Sequence, residues 1–485
     1  MAEKQILSSV GWSMVGTWTR AIISIVAFIW LARLLAPSDF GVFALTMLIV
    51  GAGALLVRGP LSEALIQDQT ASQAFIGATF WATLALSAVL TGCLAILAAP
   101  LAALFGVEAL AQTVPALAAL CLILGLASVP AALIMRDLRF DLLNKIETLA
   151  ALVGASVAVA LASMGAGWWS LLAGEAANAL ARTIGVWITH PITPGLPRPA
   201  GWPKVAALNW GSAGTWSLKF VSQQIPRGIV GAGLGAATLG LFVFAERLFE
   251  RAAGLLLQPI GAVALSAVSR TQSDRSALHE ILRKGFQAAS LLCAPAFLGL
   301  AAIAPVLIPL VFGSKWQDAV LPAQIILLIG LRGALEAYTI SILRGLGHQG
   351  TPVVLLAIEV VALGGILPFV IPFGLTAICA AILCVNLALV PLGMVLVSRA
   401  SGFSVGDQMK ASGPAVLAAC AMAALVSWTL WASQGAVLDA ARLPLSVGVG
   451  VVSFIGFYRV LAPATARSMV ETARTWLGAA RQRAS

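Results

Sequence analysis

Charged residues are scarce in this sequence. Asp, Glu, Lys and Arg make up 10% of its 485 residues, whereas 60% are hydrophobic. A soluble globular chain carries about 25% charged residues, and a soluble fold could not cover so much apolar surface. The apolar runs are also continuous, which excludes an outer-membrane barrel because barrel strands alternate apolar and polar residues. We therefore predict an all-α polytopic membrane protein.

Histidine and cysteine are rare as well, and neither forms a recognisable site. The three histidines map to loops or to the ends of apolar runs, and the six cysteines lie inside such runs without metal-ligand spacing: Cys93, Cys121, Cys293, Cys379, Cys384 and Cys420. We therefore expect no metal site, no catalytic cluster and no cofactor. The glycine-rich stretch GAGLGAATLG, which begins at Gly231, follows no strand and is predicted to be a tight turn between spans.

Long apolar runs are abundant, and each run of about 20 residues can cross the bilayer as a helix. We predict fourteen spans, near residues 10–32, 41–57, 75–98, 113–134, 148–164, 167–189, 206–232, 238–262, 285–311, 320–343, 352–371, 374–398, 411–432 and 444–462. With both termini cytoplasmic, nineteen cations fall on that side and four fall outside, which are Arg33, Arg227, Lys315 and Arg442. This asymmetry follows the positive-inside rule. It explains the net charge of +10 without a nucleic-acid partner.

An internal repeat divides the chain. The segment WSMVGTWT from Trp12 matches WGSAGTWS from Trp210, and LAPSDFGVF from Leu35 resembles LGAATLGLF from Leu234. A weaker match pairs Asn178 with Asn386. Because six spans separate the matches, both halves start on the cytoplasmic side, as in a parallel repeat. We predict six-helix halves at 1–195 and 196–400 around a V-shaped cleft, two further helices within 401–462, and an amphipathic cytoplasmic tail at 463–485.

Charges inside the spans are the main functional candidates, because each is costly unless it meets water or a partner. Arg20 and Lys219 follow the repeated Gly-Thr-Trp, one in each half. Two cations in equivalent parts of the two halves suit an anionic ligand such as a lipid pyrophosphate. The alternative is that they pack against Glu175 or Glu359.

Other charges in the spans divide into candidates and local pairs. Arg182 lies seven residues after Glu175, with Asn178 between them, and this stripe is predicted to line the cleft. Arg227, near an outer turn, could meet the pyrophosphate or a sugar on the release side. By contrast, Arg332 and Glu336 are four residues apart and can neutralise each other on one helix face, as can Arg247 and Glu250.

Several motifs resemble those of a known family. LARLLAPSDFGVFALT, followed by LSEALIQ, is similar to the polysaccharide-transporter family of lipid-linked oligosaccharide flippases, within the multidrug/oligosaccharidyl-lipid/polysaccharide exporter superfamily. The similarity continues through GLGAATLGLFVFAERL, LQPIGAVALSAVSRTQSD and PLVFGSKWQDAVLPAQIILLIGLRGALEAYTISILRGLG, and covers residue 1 to about 400.

The resemblance implies a bacterial inner-membrane protein that is not an enzyme. Such a protein would move a polyprenyl-pyrophosphate-linked oligosaccharide to the periplasmic leaflet by alternating access, for exopolysaccharide, capsule or O-antigen synthesis. Its expected partners are membrane lipid and, in the same pathway, a polysaccharide polymerase and glycosyltransferases. An H⁺ or Na⁺ gradient would drive it, with Glu359 or Glu175 binding the coupling ion.

Two other functions remain open from the sequence. A multidrug antiporter of the same superfamily would carry cationic drugs, which prefer acidic or aromatic cavities, and the cationic candidates argue against it. A membrane glycosyltransferase, polymerase or ligase usually needs a large external loop or an acidic catalytic pair. The sequence has neither, since Asp318 and Asp439 stand alone on the predicted outer face.

Overall fold

The computed structural model describes residues 19–58, 65–66, 71–195, 210–271, 274–348, 350–434, 439–463, 465 and 467. Across these residues the regular secondary structure is helical and no strand occurs, so the predicted all-α class is confirmed. The long helices described up to residue 195 are α1 (19–34), α2 (Pro37–Arg58), α3 (Gln73–Phe105), α4 (Leu110–Arg136), α5 (Phe140–Ser163) and α6 (Trp168–Thr189).

The next helical run, Trp210–Arg270, is interrupted at Gly235, whose φ of 80° and ψ of 173° are not helical. This break gives α7 (210–234) and α8 (236–270), and it lies inside the predicted glycine-rich turn. The remaining helices are α9 (Arg275–Phe312), α10 (Val320–Gly345), α11 (Thr351–Val370), α12 (Gly374–Ser401), α13 (Val405–Ala432) and α14 (Asp439–Leu461). Short 3₁₀ turns at Ser314–Ala319 and Ile371–Phe373 connect neighbouring helices.

Ten segments of the described chain are long and apolar enough to cross a membrane. Leu218–Leu257 contains parts of α7 and α8, and Thr351–Ser401 contains the whole of α11 and α12. The chain is therefore a multi-pass membrane protein, whereas the count of fourteen spans stays a prediction. Of the predicted tail at 463–485, only residues 463, 465 and 467 are described, and the repeat segment at 12–18 also lies outside the described residues.

Polar side chains close several helix ends, where backbone groups lack partners within the helix. Asp274 accepts hydrogen bonds from the backbone amides of Ser276 and Ala277 at 2.9 and 3.0 Å, at the start of α9. At the end of α13, Arg442 donates to the carbonyl oxygen of Leu430 at 2.6 Å. A guanidinium at a helix C-terminus also suits the negative end of the helix dipole.

The chain divides into two compact units. The first comprises Met1–Phe244 and Leu356–Ile378, and the second comprises Ala245–Leu355 and Cys379–Ser485. These units are defined by contacts and do not test the sequence repeat, so the halves at 1–195 and 196–400 stay a prediction.

Within the first unit, α2 and the start of α8 meet at a close crossing between repeat-related glycines. A Cβ atom on Gly41 would lie 1.7 Å from the carbonyl oxygen of Ala236, and a Cβ on Gly240 would lie 1.7 Å from that of Pro37. In the aligned repeat, Gly41 corresponds to Gly240 and Pro37 to Ala236. The contact is therefore reciprocal, as a twofold relation between the two segments requires.

The core of the second unit is aromatic and equally tight. Phe286 of α9 and Tyr338 of α10 meet edge to face with ring centroids 4.9 Å apart. A glycine permits this packing, because a Cβ on Gly285 would lie 1.9 Å from the phenol oxygen of Tyr338. Such small-to-large matching brings membrane helices into close contact without a hydrophobic driving force.

Candidate functional site

Two arginines from separate helices meet at one carboxylate in the first unit. Arg20 of α1 forms an ion pair with Glu147 of α5 and donates a second hydrogen bond to Oδ1 of Asn144 at 3.0 Å. The Nε of Arg182, on α6, lies 3.9 Å from Oε1 of Glu147. We call Arg20, Glu147 and Arg182 the arginine cluster.

Close packing of α5 on α6 positions this cluster. A Cβ on Gly154 of α5 would lie 2.7 Å from the carbonyl oxygen of Gly174 of α6, so glycine is needed there. Glu147 precedes this contact by seven residues on α5, and Arg182 follows it by eight on α6. In an antiparallel pair these offsets correspond to similar distances along the two helices, which brings the two side chains to the same level.

The arginine cluster is partly exposed and carries a surplus of positive charge. The side chains of Arg20, Glu147 and Arg182 are 26%, 31% and 19% exposed. Two guanidinium groups against one carboxylate leave one uncompensated positive charge. Guanidinium groups bind carboxylates and phosphates through paired hydrogen bonds, so the cluster is chemically suited to an anionic ligand.

Glu147 is the residue that sequence reasoning missed. The structure gives Arg20 neither of the two acidic partners considered, Glu175 and Glu359, and it also pairs Arg182 with Glu147. The predicted span began near residue 148, whereas α5 begins at Phe140 and places Glu147 about two turns inside the helix. The available sequence signal was the row of apolar and small residues at spacing four, Ile146, Ala150, Gly154, Ala158 and Ala162, which extends the helical pattern to before residue 148 and which the structure buries.

The other predicted cations lie on α7. Lys219 is exposed and makes no ion pair or hydrogen bond with the residues that the structure describes. Arg227, two turns later, is half-buried. Between them, the buried Ser222 donates a hydrogen bond of 3.4 Å to Oε1 of Glu359 on α11. The structure thus places Glu359 against α7, one helical turn beyond the position of Lys219.

Glu175 does not join the arginine cluster. It is half-buried on α6, two turns before Arg182, and no ion pair to it occurs among the residues described. The three residues of the predicted stripe, Glu175, Asn178 and Arg182, all lie on α6, and Arg182 contacts Glu147 of α5. Their place in a cleft wall stays a prediction. In the part of the chain described, no group of three His, Cys, Asp or Glu residues is arranged to hold a metal ion.

A second charged group lies in the second unit. Arg332 of α10, 5% exposed, donates to Oε1 of Glu336 at 2.9 Å and bonds to Oδ1 of Asn386 on α12. The Asn386 amide in turn donates to the carbonyl oxygen of Ile382 at 2.8 Å. The local pair of Arg332 with Glu336 is therefore confirmed. We call Arg332 and Glu336 the α10 pair, and Asn386 is the neighbour that bonds to its arginine.

These helices and intramembrane ion pairs define the class as a polytopic α-helical membrane protein. The family model described as "Polysaccharide biosynthesis protein" matches residues 30–321. The chain belongs to this family, which confirms the resemblance drawn from the sequence motifs.

Two relatives carry related names. The chain is 27% identical over 319 residues to the succinoglycan biosynthesis transport protein ExoT of Rhizobium meliloti (strain 1021), covering 65% of this chain and 64% of that protein. It is 22% identical over 337 residues to the lipopolysaccharide biosynthesis protein WzxC of Escherichia coli (strain K12), covering 68% of each. The chain thus spans slightly less than two thirds of the first of these relatives.

The fold is also similar to a solved structure. The chain aligns with the lipid II flippase MurJ, in an inward closed conformation, with a TM-score of 0.78 and 13% sequence identity. The alignment covers 94% of this chain and 99% of that one. At this level of identity the similarity shows the fold alone.

Proposed function

We propose that the chain is a flippase for a polyprenyl-pyrophosphate-linked oligosaccharide. It would move this lipid from the cytoplasmic to the periplasmic leaflet by alternating access, without making or breaking a covalent bond. The observation that carries the proposal is the arginine cluster, in which two cations from separate helices meet, partly exposed, inside an apolar protein. A pyrophosphate that leaves the headgroup region needs such neutralisation.

The family supports the polysaccharide part of this substrate. The matched model describes polysaccharide biosynthesis, and the two relatives are named for succinoglycan transport and lipopolysaccharide biosynthesis. We infer that the oligosaccharide is a repeat unit of exopolysaccharide, capsule or O-antigen. Glycosyltransferases would then act before this step, and a polymerase would act after it.

Each predicted residue has a role in the proposal. Arg20 and Arg182 would bind the pyrophosphate, the exposed Lys219 would offer a further cation on α7, and Arg227 would act near the release side. Glu359, which accepts a hydrogen bond from α7, is the preferred candidate for binding a coupling H⁺ or Na⁺, with Glu175 as the second.

The proposed topology follows the positive-inside rule. Both termini would be cytoplasmic in the bacterial inner membrane, and the halves 1–195 and 196–400 would enclose the cleft. The helices within 401–462 and the tail 463–485 would lie outside the repeat.

Genetic complementation tests this function. Deleting the gene in the organism that encodes it should abolish surface polysaccharide and cause lipid-linked oligosaccharide to accumulate. Arg20→Ala combined with Lys219→Ala should fail to restore the polysaccharide at normal membrane levels. Arg344→Ala, which removes an exposed cation at the end of α10, is the matched control and should restore it.

Two outcomes would contradict the proposal. Full restoration by the double variant would reject the role of these cations in binding pyrophosphate. Unchanged surface polysaccharide after deletion, together with new sensitivity to cationic drugs, would favour the multidrug antiporter.

A further inference from the structure

Glu147 occupies the position between Arg20 and Arg182 where a bound anion would have to lie. We propose that Glu147 is a resident anion, which holds the two guanidinium groups while no substrate is bound and is displaced by the pyrophosphate of the arriving lipid. This inference rests on the proposed flippase function.

The contacts divide the carboxylate between the two arginines. Its Oε2 faces Arg20 and its Oε1 faces Arg182, so each oxygen serves a different helix. A phosphate oxygen can take either place, because guanidinium groups donate hydrogen bonds to carboxylate and phosphate oxygens in the same forked geometry. Asn144 also bonds to Arg20, at 3.0 Å, and this bond does not depend on Glu147. Arg20 therefore keeps a local support when the carboxylate leaves.

Charge makes the two anions mutually exclusive. With Glu147 in place, the arginine cluster has one positive charge in excess, whereas a pyrophosphate diester carries about two negative charges. Like charges a few ångströms apart repel strongly where water is scarce, so Glu147 and the headgroup cannot share the two cations. The 19–31% exposure of these side chains leaves the cluster accessible to such an exchange.

The exchange would serve release as well as binding. A transport site must bind its substrate well enough to load and weakly enough to unload. A carboxylate that returns to the arginines competes with the headgroup and promotes its departure. Removing this competitor should therefore strengthen binding and slow transport, which are opposite effects on the two steps.

Glu147→Gln tests the exchange, because the amide keeps the shape of the side chain and loses its charge. The probe is farnesyl diphosphate, a short isoprenyl diphosphate, titrated by calorimetry into the full-length chain in lipid nanodiscs. We expect Glu147→Gln to bind it about tenfold more tightly, since a charge-assisted contact of this kind is worth at least one factor of ten. Export of polysaccharide by the same variant should fall at an equal membrane level.

Two further variants keep the test interpretable. Asp141→Asn makes the same acid-to-amide change on α5, at an exposed side chain whose recorded partner is Lys145 at 3.9 Å, and it should change neither binding nor export. Glu147→Asp retains the charge on a shorter side chain and should stay within about threefold of the wild-type affinity.

The outcomes separate this inference from the proposed function. If Glu147→Gln weakens binding and export together, Glu147 only positions the arginines, and the resident-anion inference is overturned while the flippase remains. If wild-type protein binds farnesol and farnesyl diphosphate equally tightly, the arginines do not bind the diphosphate. The proposed pyrophosphate site is then rejected together with the resident-anion inference.

Discussion

The two units hold intramembrane charge in different ways. In the second unit, the α10 pair joins residues four apart on one helix, one cation meets one carboxylate, and Arg332 is 5% exposed. Glu336, whose side chain is 35% exposed, is the more exposed member of this pair. In the first unit, the arginine cluster joins three helices, and Arg20 and Glu147 are 127 residues apart.

The difference separates charges that support the fold from charges that can bind a ligand. A buried cation that contacts a carboxylate on its own helix and an asparagine is neutralised and hydrogen-bonded by the protein itself. Two partly exposed cations around one carboxylate leave a net positive charge and remain accessible to a further anion. Intramembrane charges are functional candidates by default, and the comparison identifies the arginine cluster as the stronger candidate of the two.

The largest effect on stability is expected at Arg332. Arg332→Ala removes the donor to Oδ1 of the buried Asn386 and the cation beside Glu336, and it should destabilise the protein by about 2–4 kcal/mol. Unfolding in mixed detergent micelles measures this change. Arg344→Ala, in the last turn of the same helix, should stay within about 0.5 kcal/mol of wild type. Equal stability of Arg332→Ala and Arg344→Ala would contradict the claim that the α10 pair supports the fold.

The second-largest loss of stability is expected at the crossing of α2 and α8. A methyl group on Gly41 or Gly240 cannot fit against a backbone oxygen 1.7 Å away, so either change to Ala must separate α2 from α8 at a cost of about 1–3 kcal/mol. The double variant should cost clearly less than the sum of the single ones, because both act on one reciprocal contact.

Gly92→Ala is the matched control for this crossing. Gly92 is an exposed glycine of α3 with no neighbouring atom in the way of a Cβ, so Ala should be neutral or slightly stabilising there. Strict additivity of Gly41→Ala and Gly240→Ala would argue against a shared contact.

The smallest effect on stability should follow from Arg20→Gln. Partly exposed ion pairs contribute about 0–1 kcal/mol, and glutamine can still bond to Asn144 or Glu147. We expect a loss below about 1 kcal/mol in the same detergent unfolding experiment. A loss as large as that of Arg332→Ala would mean that the arginine cluster supports the fold and would remove the distinction between the units.

Sequence reasoning succeeded where a property depends on the overall composition or on positions close together in one helix or turn. Composition was enough to predict the helical membrane class, and spacing of four on one helix was enough to predict the contact of Arg332 with Glu336. The glycine-rich turn at Gly235 was also predictable, because few residues other than glycine adopt a φ of 80°.

The arginine cluster was beyond the same reasoning. Its central contact depends on where α5 begins and on how closely Gly154 approaches Gly174, and neither follows from hydropathy. A span drawn from residue 148 excludes Glu147 by a single position. Arg20 and Lys219, which the predicted repeat places in corresponding parts of the two halves, have different surroundings, since Arg20 is paired with α5 whereas Lys219 is exposed.

Transport by Arg20→Gln in proteoliposomes tests the central claim most directly. Wild-type and variant protein would be reconstituted in equal amounts, and the movement of a polyprenyl-pyrophosphate-linked oligosaccharide between leaflets would be followed by enzymatic access to its sugar. We predict that the variant, although folded and nearly as stable as wild type, loses at least nine tenths of the transport rate, as expected for a lost charge-assisted contact to phosphate. Transport at the wild-type rate would contradict the assignment of the arginine cluster as the substrate site.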